Sequence, residues 1–306
     1  MKRLPQIGWQ ADGRRIHLQD GPIDLIVEAR GTAANVRAAY DAAVQRFTGL
    51  LDELCEELQE LRKPARPAVC SLKGDVARRM YDAVAPFAAD HFITPMAAVA
   101  GAVAEEILGA MMRASDLNRV YVNNGGDIAL YLANGESFTV GLIDRPDMPG
   151  LIGKTVVESK HPTRGIATSG WRGRSFSLGI ADAVTVLART AARADAAATI
   201  VANAVNLAEH SLIVRRPANE IQPDSDLGAR LVTREVGELS LRDIKAALDS
   251  GADVACSLLG SGLIDGAALH LQGQTRVVAL KGIDGVVRRP LPSVASRAGT
   301  ESLLHV

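Results

Sequence analysis

Val36, Tyr40, Val44, Phe47, Leu51, Leu54, Leu58 and Leu61 recur every three or four residues, and the pattern stops before Pro64. That spacing gathers apolar side chains on one face of an α-helix, and a face of that kind has to be buried against another layer. It predicts one long helix over residues 36–61, closed by Arg62 and Lys63, whose charges suit a helix C-terminus. What precedes it has a different period. Ile16 and Leu18, then Ile23, Leu25, Val27 and Ala29, alternate with polar neighbours around Asp20-Gly21-Pro22, which is the pattern of a β-hairpin.

The rest of the chain repeats this mixture. Small apolar residues at helical spacing predict helices over 76–89 and 96–112, on either side of a break at residues 90–95. Strands are expected at 119–122, 128–132 and 138–142, joined by Asn123-Asn124-Gly125-Gly126 and Asn134-Gly135. Ala, Val and Ile without Gly or Pro predict a helix over 195–208, and Ser240 reads as the N-cap of another that runs through Leu248 to Ser250-Gly251. Residues 267–271 and 275–280 read as a closing hairpin, and the tail after about residue 290 as loose. Strands and crossover helices do not alternate, so the expected class is α/β of the α+β kind: helices packed on a mainly antiparallel sheet, in a single domain over 1–306.

Composition narrows the partners. Lys plus Arg number 34 against 35 for Asp plus Glu, so the basic footprint of a nucleic-acid binder is missing. Small molecules are the expected ligands, and the Ala-rich helices leave a homodimer open. Cys55, Cys70 and Cys256 are far apart and form no C-x-x-C pair, which fits a reducing compartment and no zinc knuckle. No apolar segment follows the basic Met1-Lys2-Arg3. The apolar run over 93–104 is interrupted by Pro95 and closed by Glu105 and Glu106, short of the roughly 20 residues of a membrane span. The expectation is a cytoplasmic protein without an anchor.

Three small motifs carry chemistry. Asn124-Gly125-Gly126-Asp127 is either a tight turn between strands or a turn whose exposed amides cradle phosphate oxygens. Thr168-Ser169-Gly170 offers hydroxyls for a phosphate or ribose, and is equally ordinary turn chemistry. Asp195 and Thr199, four apart, lie on one helix face; they could share a hard cation such as magnesium, or Asp195 could simply cap the helix. No H-x-H or H-E-x-x-H pattern offers a transition-metal site. His91 and His161 are the histidines nearest these loops.

The order of these pieces resembles the ApbE family, whose members bind FAD and transfer FMN to proteins. The resemblance covers about residues 20–206: the hairpin and long helix, the N-x-G-G-D turn at Asn123–Asp127, the A-T-S-G turn at Ala167–Gly170, a V-T-V strand, and A-D-A-x-A-T at Ala194–Thr199. It implies an ApbE-like fold, with FAD or FMN, or a related nucleotide, held by Asn124, Gly125, Gly126, Asp127, Thr168, Ser169 and Gly170. The family's magnesium-binding aspartate and threonine fall on Asp195 and Thr199.

Two family segments are replaced. The D-x-G-G-I-A-K-G loop becomes residues 94–101, without its lysine and acidic residue. The H-x-I-x-D-P-x-T-G segment, which carries the family's catalytic histidine, becomes residues 175–182, so Asp182 or His91 would have to act as the base. Residues 175–206 and 226–266 most resemble a cytoplasmic branch of ApbE-related proteins for which no reaction is established. The resemblance thus implies a magnesium-dependent enzyme acting on a flavin or related nucleotide. Its alternatives are a flavin-binding protein without transferase activity and an FMN transferase with a relocated base.

Overall fold

Alternation at the N-terminus becomes sheet, as its period requires. In the computed structural model, which describes residues 4–145, 150–279 and 303–305, β1 (Gln6–Trp9), β2 (Ile16–Asp20) and β3 (Ile23–Arg30) form an antiparallel meander. The apolar stripe that follows is buried as expected, but on three helices: α1 (Ala33–Phe47), α2 (Leu50–Glu56) and α3 (Leu58–Leu61). The break has a local cause. Gly49 adopts φ +88°, a left-handed conformation that ends a helical run, and the Thr48 hydroxyl donates to the Val44 carbonyl at the end of α1.

The chain then makes α4 (Asp75–Val84) and α5 (Val99–Ala114) before re-entering the sheet as β4 (Arg119–Asn124) and β5 (Asp127–Leu132). A hairpin of β6 (Ser137–Ile143) and β7 (Leu151–Glu158) leaves the sheet, and β8 (Gly165–Ser169) and β9 (Ala183–Ala188) return to it. α6 (Ala191–Ala204) leads to a ribbon of β10 (Ile213–Pro217) and β11 (Leu231–Val236), interrupted by the short α7 (Ala218–Ile221). Last come α8 (Leu241–Gly260), β12 (Gly266–Leu271) and β13 (Gln274–Ala279). The sheet has nine strands in the order β1-β2-β3-β4-β5-β8-β9-β12-β13, with every adjacent pair antiparallel. A strand at Leu303–His305 runs parallel to β6.

Strand alternation sorts the core onto two faces. Leu25, Val27, Val122, Ala129, Ala167, Val184, Val186 and Leu269 join the buried side chains of the helices. Tyr121, Ile128, Leu130, Ile166 and Leu187 face the other way, against Phe138, Val140 and Val157 of the β6–β7 hairpin. Both faces are thus covered, one by helices and one by a hairpin.

Several element boundaries differ from expectation. α6 begins at Ala191, four residues early, because the Thr190 hydroxyl accepts from the Arg193 amide and caps it there. α8 runs straight through Gly251, where a Cβ would fall 2.3 Å from Val205; this glycine marks a close approach and not a stop. The ribbon β10–β11 and strand β7 were not expected. Residue 280 of the expected last strand, and most of the tail after 290, lie outside the described residues. Residues 95–114 form one helical stretch that is long and apolar enough to cross a membrane, longer than the sequence implied because Glu105 and Glu106 continue the helix. They can do so because Glu106 is paired with Arg46 and Arg79, and Glu105 with Arg79. The stretch packs inside the fold, 56 % buried over its most apolar window.

α5 and α6 cross in near contact. A Cβ on Gly101 would fall 2.3 Å from the Ala191 carbonyl oxygen and 2.7 Å from the Ala192 nitrogen, so the crossing admits only glycine. Gly101→Ala is expected to destabilise the protein by about 1–3 kcal/mol, read as a lower urea midpoint. Gly109→Ala on the same helix, which would meet only the mobile end of Arg113, should be close to neutral.

Candidate functional site

The polar residues of α6 build the site. The helix is almost wholly buried alanine, isoleucine and valine, yet Asp195, Thr199 and Asn203 repeat every four residues and so share one face. Asp195 reaches across to α5, where its Oδ2 accepts from the Gly101 amide at 3.0 Å. Gly101 lies in the first turn of α5, whose N-cap position is Ala98 and has no side-chain cap; Asp195 therefore does from another helix what a local cap would do. The favour is returned. Glu105 of α5 accepts from the Ala192 amide, in the first turn of α6, at 2.7 Å. At the far end of the stripe, the Asn203 carbonyl oxygen accepts from the Leu178 amide at 2.9 Å and fixes the loop that follows β8.

The N-x-G-G-D turn closes the β4–β5 hairpin, Asn124 pairing with Asp127, with Gly125 and Gly126 at φ +65° and +111°. The fold shows the tight-turn reading of the motif, and its flanking side chains face α5 and α6. The Asn124 amide donates to the Ala100 carbonyl at 3.2 Å, tying the hairpin to the start of α5. Asp127 accepts from the Thr168 amide at 3.3 Å and lies in the electrostatic field of Asp195. Burial, followed by the charge of Asp195, holds the Asp127 carboxyl well above the ordinary range, against the pull of the Thr168 amide and Arg174. Burial raises the Asp195 carboxyl to about 7, opposed by the amides of Gly101 and Ala100. Both carboxyls thus resist ionisation, Asp195 even though it sits beside the N-terminal amides of a helix, where negative charge is otherwise favoured.

The other expected residues divide. Ala167 belongs to the helix-side core, so by alternation Ser169 shares the face of Asp127, and Thr168 points the opposite way. There its hydroxyl bonds that of Thr185 at 2.8 Å; only its amide serves the carboxyl pair. The expected A-T-S-G turn is in fact the end of β8, and Gly170 alone begins the turn. Thr199 is part-buried one turn beyond Asp195. Asp182 is 4 % exposed, and both of its oxygens already accept hydrogen bonds, Oδ1 from the Trp171 indole and Arg172, Oδ2 from the Gln272 amide. It is a loop anchor and is poorly placed to act as a base. His91 is exposed on the turn after Phe87.

Glu105, Asn203 and Arg174 were missed. Asn203 had a signal, since it extends the four-residue spacing of Asp195 and Thr199. Arg174 lies over the glycine turn, one terminal nitrogen 1.9 Å from where a Gly125 Cβ would be. Among the described residues no group of three or more His, Cys, Asp or Glu gathers as a metal cluster, so a cation here would draw on two carboxylates, Thr199 and water.

A family model described as "AbpE bacteria" matches residues 7–277. The chain belongs to this family. Its AbpE fold agrees with solved structures: an ApbE protein from Thermotoga maritima superposes with TM-score 0.52 at 12 % identity, covering 88 % of this chain and 97 % of that one. The flavinyl transferase ApbE of Pseudomonas stutzeri gives 0.50 at 12 %, covering 92 % and 96 %. Among curated relatives, a UPF0280 protein of Methanopyrus kandleri is 43 % identical over 141 residues, 45 % of this chain and 54 % of that protein. A UPF0280 protein of Methanothrix thermoacetophila is 41 % identical over 117 residues, 37 % and 46 % of the two chains. These alignments span about half the length of the curated relatives.

The carboxyl pair makes the stability of this AbpE protein depend on pH. With its folded-state value near 7 and an unfolded value of about 3.9, Asp195 contributes stability that is complete below about pH 4 and lost as the pH rises through 7. In chelator-treated protein the wild type should lose stability relative to Asp195→Asn between pH 5 and 8, measured as the difference in melting temperature across that range. Asparagine keeps an acceptor for the Gly101 amide and has no charge to lose.

Proposed function

We propose that this protein binds a flavin or related nucleotide together with magnesium, and that Asp127 and Asp195 hold the ion. The carboxyl pair is the observation that carries this reading. Two part-buried carboxyls that repel each other are relieved by a divalent cation, and a set made only of oxygen donors favours magnesium or calcium over softer metals. Thr199 adds a hydroxyl on the same helix face. Magnesium commonly binds through one or two carboxylates while keeping water and taking phosphate oxygens, which suits a site with so few protein ligands. When bound, it would neutralise phosphate charge during transfer or cleavage at the phosphate.

The nucleotide lies along Asn124 to Asp127 and Ser169-Gly170, with the Gly125 amide on its phosphates, since the Gly126 amide donates to the Asn123 side chain. A flavin is preferred because the family match and the fold both lead to ApbE proteins, one of them named a flavinyl transferase. Enzymatic use of the bound nucleotide is the leading reading, and binding without transfer is the second. Asp182 favours the second, because its oxygens are engaged, and among the described contacts no histidine bonds either carboxyl of the pair. Transfer of FMN through a relocated base ranks third.

Titration of purified protein with FAD should show binding that needs magnesium. Asp195→Asn should weaken it on the order of tenfold or more while leaving the fold intact by circular dichroism. No flavin binding with magnesium present would sink the flavin assignment. Incubation with FAD, magnesium and an acceptor protein then separates the readings by mass spectrometry. AMP release with a matching mass gain on the acceptor establishes transfer, and neither leaves a binding protein.

A further inference from the structure

Arg174 occupies a place that the carboxyl pair does not explain. It is exposed on the loop between β8 and β9, and its guanidinium lies on the backbone of Gly125, its carbon 3.0 Å from where a Cβ would project. The neighbouring Arg172 is fully engaged, donating to Asp182 at 2.8 Å and stacking 4.3 Å above the Trp171 ring. Arg174 makes no such ion pair among the described residues, although Asp127 feels its charge. The loop that carries it is fixed at both ends: Trp171, Arg172 and the Gln272 amide hold Asp182, and Asn203 holds Leu178.

A planar guanidinium with free donors, held over Gly125 while the Gly126 amide donates to the Asn123 side chain, provides the geometry for a phosphate group. Arg binds such groups through two parallel hydrogen bonds, which a lysine cannot reproduce. We propose that Arg174 is the diphosphate-pairing residue of this site, holding the ligand's phosphates at the Gly125 turn. This rests on the phosphate-binding reading above and adds a ligand class to it. The site selects compounds with a diphosphate and discriminates against the same base or flavin without one.

The test uses the full chain and magnesium pyrophosphate as the probe, by calorimetry at low and moderate salt, with FAD titrated in parallel. Arg174→Gln should weaken pyrophosphate and FAD by about tenfold or more and flatten the salt dependence of binding. Arg174→Lys should recover the salt dependence but only part of the affinity. The melting temperature should not change in either variant, and magnesium alone should bind no more weakly in Arg174→Gln, because the charge removed acts on Asp127; this separates a ligand contact from a structural role. Equal pyrophosphate affinity in Arg174→Gln and wild type overturns the proposal, as does a wild type that binds no pyrophosphate. The two readings fail separately. Pyrophosphate binding that depends on Arg174 without any FAD binding removes the flavin and keeps the clamp, whereas FAD binding indifferent to Arg174 does the reverse.

Discussion

Two helices that cap each other hold this protein's interior in place. Asp195 of α6 accepts from the first turn of α5, and Glu105 of α5 accepts from the first turn of α6. Each helix N-terminus leaves backbone donors without partners, and here both sets are met across the crossing, with Thr190 adding a local cap on α6 alone. The exchange is possible only because Gly101 lets the backbones touch at Ala191. From that contact the rest follows: α6 is buried among small side chains, its polar face is turned toward the ends of β5 and β8, and Asp127 is brought against Asp195.

Patterns repeated along a few neighbouring residues were readable in the sequence. The β2–β3 alternation, the buried stripe of Tyr40, Phe47, Leu54 and Leu61, and the shared face of Asp195 and Thr199 all come from local periodicity, and each is present in the fold. The reciprocal caps were not readable, since the bonded residues are 94 and 87 positions apart and neither carboxylate has a local signature. Glycine was the most ambiguous letter. Gly49 breaks a helix through a left-handed backbone, Gly251 sits mid-helix for want of space, and Gly101 stands in a helix's first turn to admit another helix. Only the three-dimensional neighbours distinguish these cases.

The Thr168-Ser169-Gly170 motif shows how neighbouring hydroxyls can be sent to different layers. A run of hydroxyls suggests convergence on one ligand, but a strand sends successive residues to opposite faces. Thr168 therefore joins Thr185 on the hairpin side of the sheet, while Ser169 remains with Asp127 on the helix side. Asp182 is comparable. The sequence marked it as a candidate base because it replaces a catalytic segment, and its three accepted hydrogen bonds make it the anchor of the loop that carries Arg174.

The helix contact that Asp195 makes and the ion binding proposed for it would require the same charge state. The α5 amides bind its ionised form more strongly than its neutral form, and so would a cation. Helix docking and the proposed ion binding would therefore be thermodynamically linked: each would lower the free-energy cost of ionising a buried acid for the other. A ligand that recruits the ion would tighten the crossing at Gly101 with no movement of the backbone. Conversely, a substitution in the alanine packing around α6 would be felt as a change in affinity at a surface it never touches.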